Sequence, residues 1–159
     1  MNDNCILPHA QYNYLWRISW LALGASMYAV YNNHYEFAPF TFAVFLTSIN
    51  YWRKPDYSWR RYLDMTVVQI AFWYHIIRAY KSQYHTIYYI TAWSAAGCFP
   101  IAICYYKKKM YWKSTYIHSM VHIFGNLSNI IIYSGYVVPL SSCCVFGSRQ
   151  IHNHGQSQE

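Results

Sequence analysis

The sequence predicts an all-α fold, a polytopic bundle of about five transmembrane helices, and three observations carry that expectation. Of its 159 residues, 55% are hydrophobic and 21% aromatic, while only 11% are charged, less than half the roughly 25% of an ordinary soluble domain. The apolar residues fall into five runs, at 14–31, 37–52, 62–80, 84–106 and 115–138, each near the ~20 residues that cross a bilayer as a helix. Between the runs stand short basic clusters, Arg53, Lys54, Arg60 and Arg61, then Lys107, Lys108, Lys109 and Lys113, a pattern of cytoplasmic loops. Mean hydropathy is close to zero because 19 tyrosines are scored as polar, although their rings bury well and settle at bilayer interfaces.

A formal charge of +7 raises a nucleic-acid partner, since basic faces neutralise phosphates. The clustering of that charge between apolar runs sets this aside, and the expected partner is the lipid bilayer.

Residues 1–13 form a short polar segment without a cleavable signal, so the first span is its own insertion signal. That span, 14–31, carries Ala22, Gly24 and Ser26, which let helices approach closely. The second, 37–52, is short, begins near Pro39 and ends in Thr47, Ser48 and Asn50. The third, 62–80, contains Asp64 and His75, with Arg78 expected to snorkel to the interface beside His75. The fourth, 84–106, has a small-residue patch at Ala95, Ala96 and Gly97 and a kink expected at Pro100. The fifth, 115–138, stops before Pro139. The transmembrane domain is thus 14–138, and 139–159, rich in Ser, Gly, Gln and His, is expected to be a disordered tail. Cys5, Cys98, Cys104, Cys143 and Cys144 show neither zinc-knuckle nor disulfide-scaffold spacing. An amino terminus on the cytoplasmic side puts most basic residues inside, so the carboxyl terminus is expected on the opposite side.

The fifth span holds the candidate chemistry. At 100° per residue, His118, His122, Gly125, Asn126, Asn129 and Tyr133 share a stripe about 100° wide, with Met120, Ile123, Leu127 and Ile131 opposite. Buried polar side chains in a bilayer need partners, so the stripe should face a bundle interior, a cavity or a metal. With alternating spans, Ser48, Asp64, His118 and His122 fall within about 10 Å of one membrane face. Histidines at i and i+4 can ligate one zinc ion, whose bound water becomes a nucleophile near neutral pH. Asp64 would act as general base or ligand orienter, Ser48 would assist an oxyanion, and Asn126 and Asn129 would support the ligands or contact substrate.

A serine late in an early span, an aspartate opening the next and H-x-x-x-H in the last resemble the ceramidase-like superfamily of intramembrane hydrolases, which includes alkaline ceramidases and adiponectin-receptor-type proteins. The resemblance implies a seven-helix bundle, zinc held by three histidines, a nearby serine and aspartate, and cleavage of lipid amide or ester bonds. By position, Ser48 matches the serine, Asp64 the aspartate, and His118 and His122 the last pair. Two departures stand beside it: the early histidine falls on Trp52, and five spans replace seven.

Two other functions fit the same residues. The polar faces would glue helices together in a structural or assembly protein or complex subunit, with Asp64 pairing with Arg60 or Arg61 at a helix start. Alternatively His118, His122, Asn126 and Asn129 would line a small channel.

Overall fold

Six α-helices account for nearly all the regular structure of residues 5–138, which the computed structural model describes: α1 (His9–Ile18), α2 (Leu21–Tyr31), α3 (Ala38–Trp52), α4 (Trp59–Ala79), α5 (His85–Lys107) and α6 (Tyr111–Tyr133). The tail expected to be disordered, with Cys143, Cys144, Arg149, His152 and His154, lies outside the described residues. An isolated antiparallel bridge between Ser82 and Val137 is the one β feature among the described residues.

The six helices make five rods, because α1 and α2 are nearly continuous. Ser19 donates its hydroxyl back to the Leu15 carbonyl at 2.9 Å, and the Trp20 N–H bonds to Arg17 at 3.3 Å, a tighter i to i−3 turn that separates them. Helix begins at His9, directly after Pro8, so five residues of the expected polar segment join the first rod. Pro39 sits in the first turn of α3, where a missing N–H costs nothing. Pro100 lies inside α5, which continues past it.

The last helix departs most from expectation, starting at Tyr111 and ending at Tyr133 rather than running to 138. Past the helix end the chain packs closely against the segment before α5, where a Cβ at Gly135 would lie 2.7 Å from the Tyr84 ring. Gln83 N–H bonds to the Tyr136 carbonyl at 3.0 Å.

The rods run alternately up and down. One end gathers residues 5–8 and the loops 53–58 and 108–110. The other gathers 32–37, 80–84 and 134–138. Packing is closest between α5 and α6, then between α3 and both α2 and α4, while α2 also packs on α6. Small side chains let the backbones approach: Ala25, Ala29, Ala79, Ala92 and Ala102 are buried. Serines bond across the seams, Ser26 to the Ala38 carbonyl at 3.0 Å and Ser114 to that of Ala102 at 2.8 Å.

Bulky apolar side chains point the other way. Met27, Leu46, Ile70, Trp73, Ile90 and Trp93 are exposed, whereas Ser48, Thr41, Thr115, Ser119 and Asn126 are buried. By length and apolarity one described helix, α5, is sufficient to cross a membrane. At 15 residues α3 spans only about 22 Å, and α4 carries Arg60, Arg61, Asp64 and Arg78.

Candidate functional site

Polar side chains collect in two layers, one toward each end of the bundle. The first is organised by a single turn of α3. Ser48 and Trp52, four residues apart, share a helix face, and both are buried. Ser48 donates its hydroxyl to Asp64 Oδ1 at 2.7 Å, and Thr47 donates to the same oxygen at 3.0 Å. Trp52 packs edge-on against His118, with ring centroids 5.1 Å apart. His118 in turn meets His122 at 5.4 Å and Phe99 at 6.0 Å.

The expected site residues thus divide into two pairs, Ser48 with Asp64 and His118 with His122, joined through α3. Thr47, placed by sequence only in a polar group ending the second span, proves to be the second donor to Asp64. The basic neighbours of Asp64 are engaged elsewhere. Arg60 forms an ion pair with Asp56 at 2.7 Å and bonds to the Lys54 carbonyl at 2.9 Å, while Arg61 lies over the Tyr57 ring at 4.9 Å. Asp56 sits in the loop four residues from Arg60, whereas Asp64 is a turn further along α4 and faces α3, so the expected pairing of Asp64 with Arg60 or Arg61 is replaced. The Ser58 hydroxyl and then the Arg60 guanidinium hold the Asp56 carboxyl below its usual range.

Two imidazoles on one tetrahedral zinc would hold their ring centres roughly 5 Å apart, and the His118–His122 separation of 5.4 Å allows that. His122 Nε2 is buried without a hydrogen-bond partner. Among the described residues no group of three or more His, Cys, Asp or Glu side chains is placed to hold a metal ion. Asn126 gives its amide to the His122 carbonyl at 2.7 Å, a bond within its own helix. Asn129 is half-buried.

The second layer lies near the other end and was only partly visible in sequence. Tyr133, fully buried, places its hydroxyl 2.6 Å from His75 Nε2 and 2.7 Å from Thr41 Oγ1. His75 Nδ1 lies 2.7 Å from the Ala71 carbonyl. Arg78 is buried rather than snorkelling: its guanidinium meets Glu36 Oε1 at 2.6 Å and the Val138 carbonyl at 2.9 Å. Glu36, just before α3, supplies the partner that allows this burial. A carboxylate one residue outside an apolar run was the signal that could have revealed it.

No protein-family model, no curated protein and no solved structure matches this chain.

Proposed function

We propose that this chain is a multi-pass integral membrane protein with a structural or assembly role, whose buried polar side chains tie its helices together. The observation that carries the reading is the many large apolar side chains on the outside, together with small and polar side chains that share the interior with an apolar core including Leu15, Phe37 and Ile132. Large apolar groups such as Met27, Ile70, Trp73, Ile90 and Trp93 face outward, while Ser48, Thr41, Thr115, Ser119, His75 and Asn126 are buried. In water that exterior is an extensive exposed apolar surface. In lipid it is the favourable solvent contact, and small or polar seams are what hold membrane helices together. The environment of α5 supports the same reading, because only 22% of its most apolar stretch is buried inside the molecule, unlike the core helix of a soluble domain. A structural role is supported by Ser48, whose one hydroxyl hydrogen is given to Asp64 and is then not free for an oxyanion.

The test is extraction. After alkaline carbonate washing of membranes, the chain is expected to stay in the pellet and to leave only with detergent. Release by carbonate alone would overturn the reading.

A second reading, a zinc-dependent hydrolase of lipid amide or ester bonds, is favoured by the unpartnered, buried His122 Nε2, the condition of a ring nitrogen awaiting a ligand. His118 and His122 would hold the metal, with Asp64 and Ser48 as a separate pair across α3 that would take part only by moving toward it. Elemental analysis of purified protein is then expected to find about one zinc per chain, lost in His118→Ala or His122→Ala. A zinc-free protein whose double variant folds like the parent removes this reading and leaves the first intact.

A further inference from the structure

The loops that carry the basic clusters are held side by side by one residue of the amino-terminal segment. The Ile6 N–H bonds to the Pro55 carbonyl at 3.0 Å, and its carbonyl accepts the Tyr106 hydroxyl at 3.3 Å. Ile6 therefore clasps the α3–α4 loop to the end of α5, merging two clusters distant in sequence into one rim. Arg53, Lys54, Lys107, Lys108, Lys109 and Lys113 are exposed there. Lys109 adopts a φ of 59°, which turns the chain sharply between α5 and α6 and keeps the lysine run at the tip.

Among the described residues, the charge of this rim is nearly all of one sign. Its loop acid among the described residues, Asp56, is already paired with Arg60, and Asp64 lies deeper under Thr47 and Ser48. At the opposite end the charged groups among the described residues are Glu36, Arg78 and Lys81, the first two paired with each other. Directly next to the basic rim stand exposed aromatic rings, Trp59 on α4 and the stacked Trp112 and Tyr116 on α6, 5.6 Å apart. Aromatic rings with one wet edge settle at headgroup level, and basic side chains just beyond them meet the headgroups themselves.

We propose that this rim is a docking surface for anionic phospholipid headgroups, formed by Arg53, Lys54, Lys107, Lys108, Lys109 and Lys113, so that this end of the bundle engages the anionic leaflet. The proposal rests on the membrane reading above and adds a lipid class and an end to it. Six exposed cations on one rim match the size of juxtamembrane clusters that concentrate acidic lipids, and exposure leaves them the mobility to follow a fluid headgroup layer.

The experiment reconstitutes the purified full chain in phosphatidylcholine vesicles containing about three-tenths phosphatidylserine, and compares spin-labelled phosphatidylserine with spin-labelled phosphatidylcholine in the protein's lipid shell by electron paramagnetic resonance. A selectivity of about two- to five-fold for phosphatidylserine is expected at low ionic strength, falling toward unity in ~1 M salt. The combined variant Arg53→Gln, Lys54→Gln, Lys107→Gln, Lys108→Gln and Lys109→Gln is expected to lose it. These are exposed side chains, and the salt titration of the unaltered chain stands as an independent measurement should that variant express poorly. Equal association of both lipids with the unaltered chain, or selectivity that survives high salt or the five substitutions, would overturn the headgroup proposal alone. Absence of any motionally restricted lipid would overturn the membrane reading with it.

Discussion

Glu36→Ala is expected to destabilise the fold by about 3 kcal/mol, because removing one partner of a buried ion pair leaves an uncompensated charge. The Arg78 side chain is only 8% exposed, against 30% for Glu36, so the two deletions are not equivalent. Without Glu36 the guanidinium keeps the Val138 carbonyl at 2.9 Å, and its Nε already lacks a partner. Without Arg78 the carboxylate can turn to solvent, and Arg78→Met is expected to cost roughly 1 kcal/mol. The double variant should recover most of the loss, since both charges are then gone. Equilibrium unfolding in mixed micelles measures all three. Equally small losses for both single variants, below about 0.5 kcal/mol, would show Arg78 reaching solvent as a snorkelling cation and would defeat the buried pairing.

Tyr133→Phe is expected to cost about 2 kcal/mol by leaving the buried His75 Nε2 without a partner and loosening that of Thr41. The direction of the hydrogen bonds follows from the acceptors. The Ala71 carbonyl can only accept, so in a neutral ring His75 Nδ1 carries the proton and Nε2 accepts from the Tyr133 hydroxyl. The Tyr133 oxygen then accepts from Thr41 Oγ1. Phenylalanine keeps the ring packing against Phe37, whose centroid is 5.4 Å away, and removes only the hydroxyl. Thr41 can fall back on the Phe37 carbonyl, at 3.4 Å, whereas His75 Nε2 has no such alternative. Thr41→Val is accordingly expected to be milder, below about 1 kcal/mol. A Tyr133→Phe protein as stable as the parent in micelle unfolding would show that the hydroxyl carries no such load.

The helical architecture was legible because it rests on local signals. Apolar runs bounded by Pro39, the residues around Pro55 and the lysines at 107–109 mark where rods begin and end, and three of the five expected spans, 37–52, 62–80 and 84–106, coincide with rods to within three residues, while the last is displaced toward its start. The exceptions are local as well. The Ser19 back-bond divides the first rod, and the amino-terminal turn from His9 extends it. Neither leaves a mark in hydropathy, since a serine inside an apolar run and a helical turn of polar residues score no differently from their alternatives.

Within the candidate site, the juxtaposition of Ser48 and Asp64 followed from counting rises along antiparallel helices, and these two residues do meet, at 2.7 Å. Which neighbour Asp64 chooses did not follow. Arg60, Arg61, Ser48 and Thr47 were all within plausible reach, and the choice was made by helix rotation, which turns Asp64 toward α3 and leaves Arg60 to Asp56. The second layer was less visible still, because Thr41, His75 and Tyr133 stand on three different helices, 58 and 92 residues from Tyr133 in the case of His75 and Thr41.

The amino-acid sequence by itself determined the rods, their lengths, the basic turns at one end and the polar stripe of the last helix, since each depends on residues within a turn or two of one another. Tertiary structure alone decided how the polar groups are shared: Asp64 to two hydroxyls, Arg78 to Glu36, Tyr133 between His75 and Thr41, and two basic loops joined by Ile6. The physical reason is that a buried polar atom takes its partner from whichever helix faces it, and facing is set by rotation and register between helices, which no stretch of local sequence encodes.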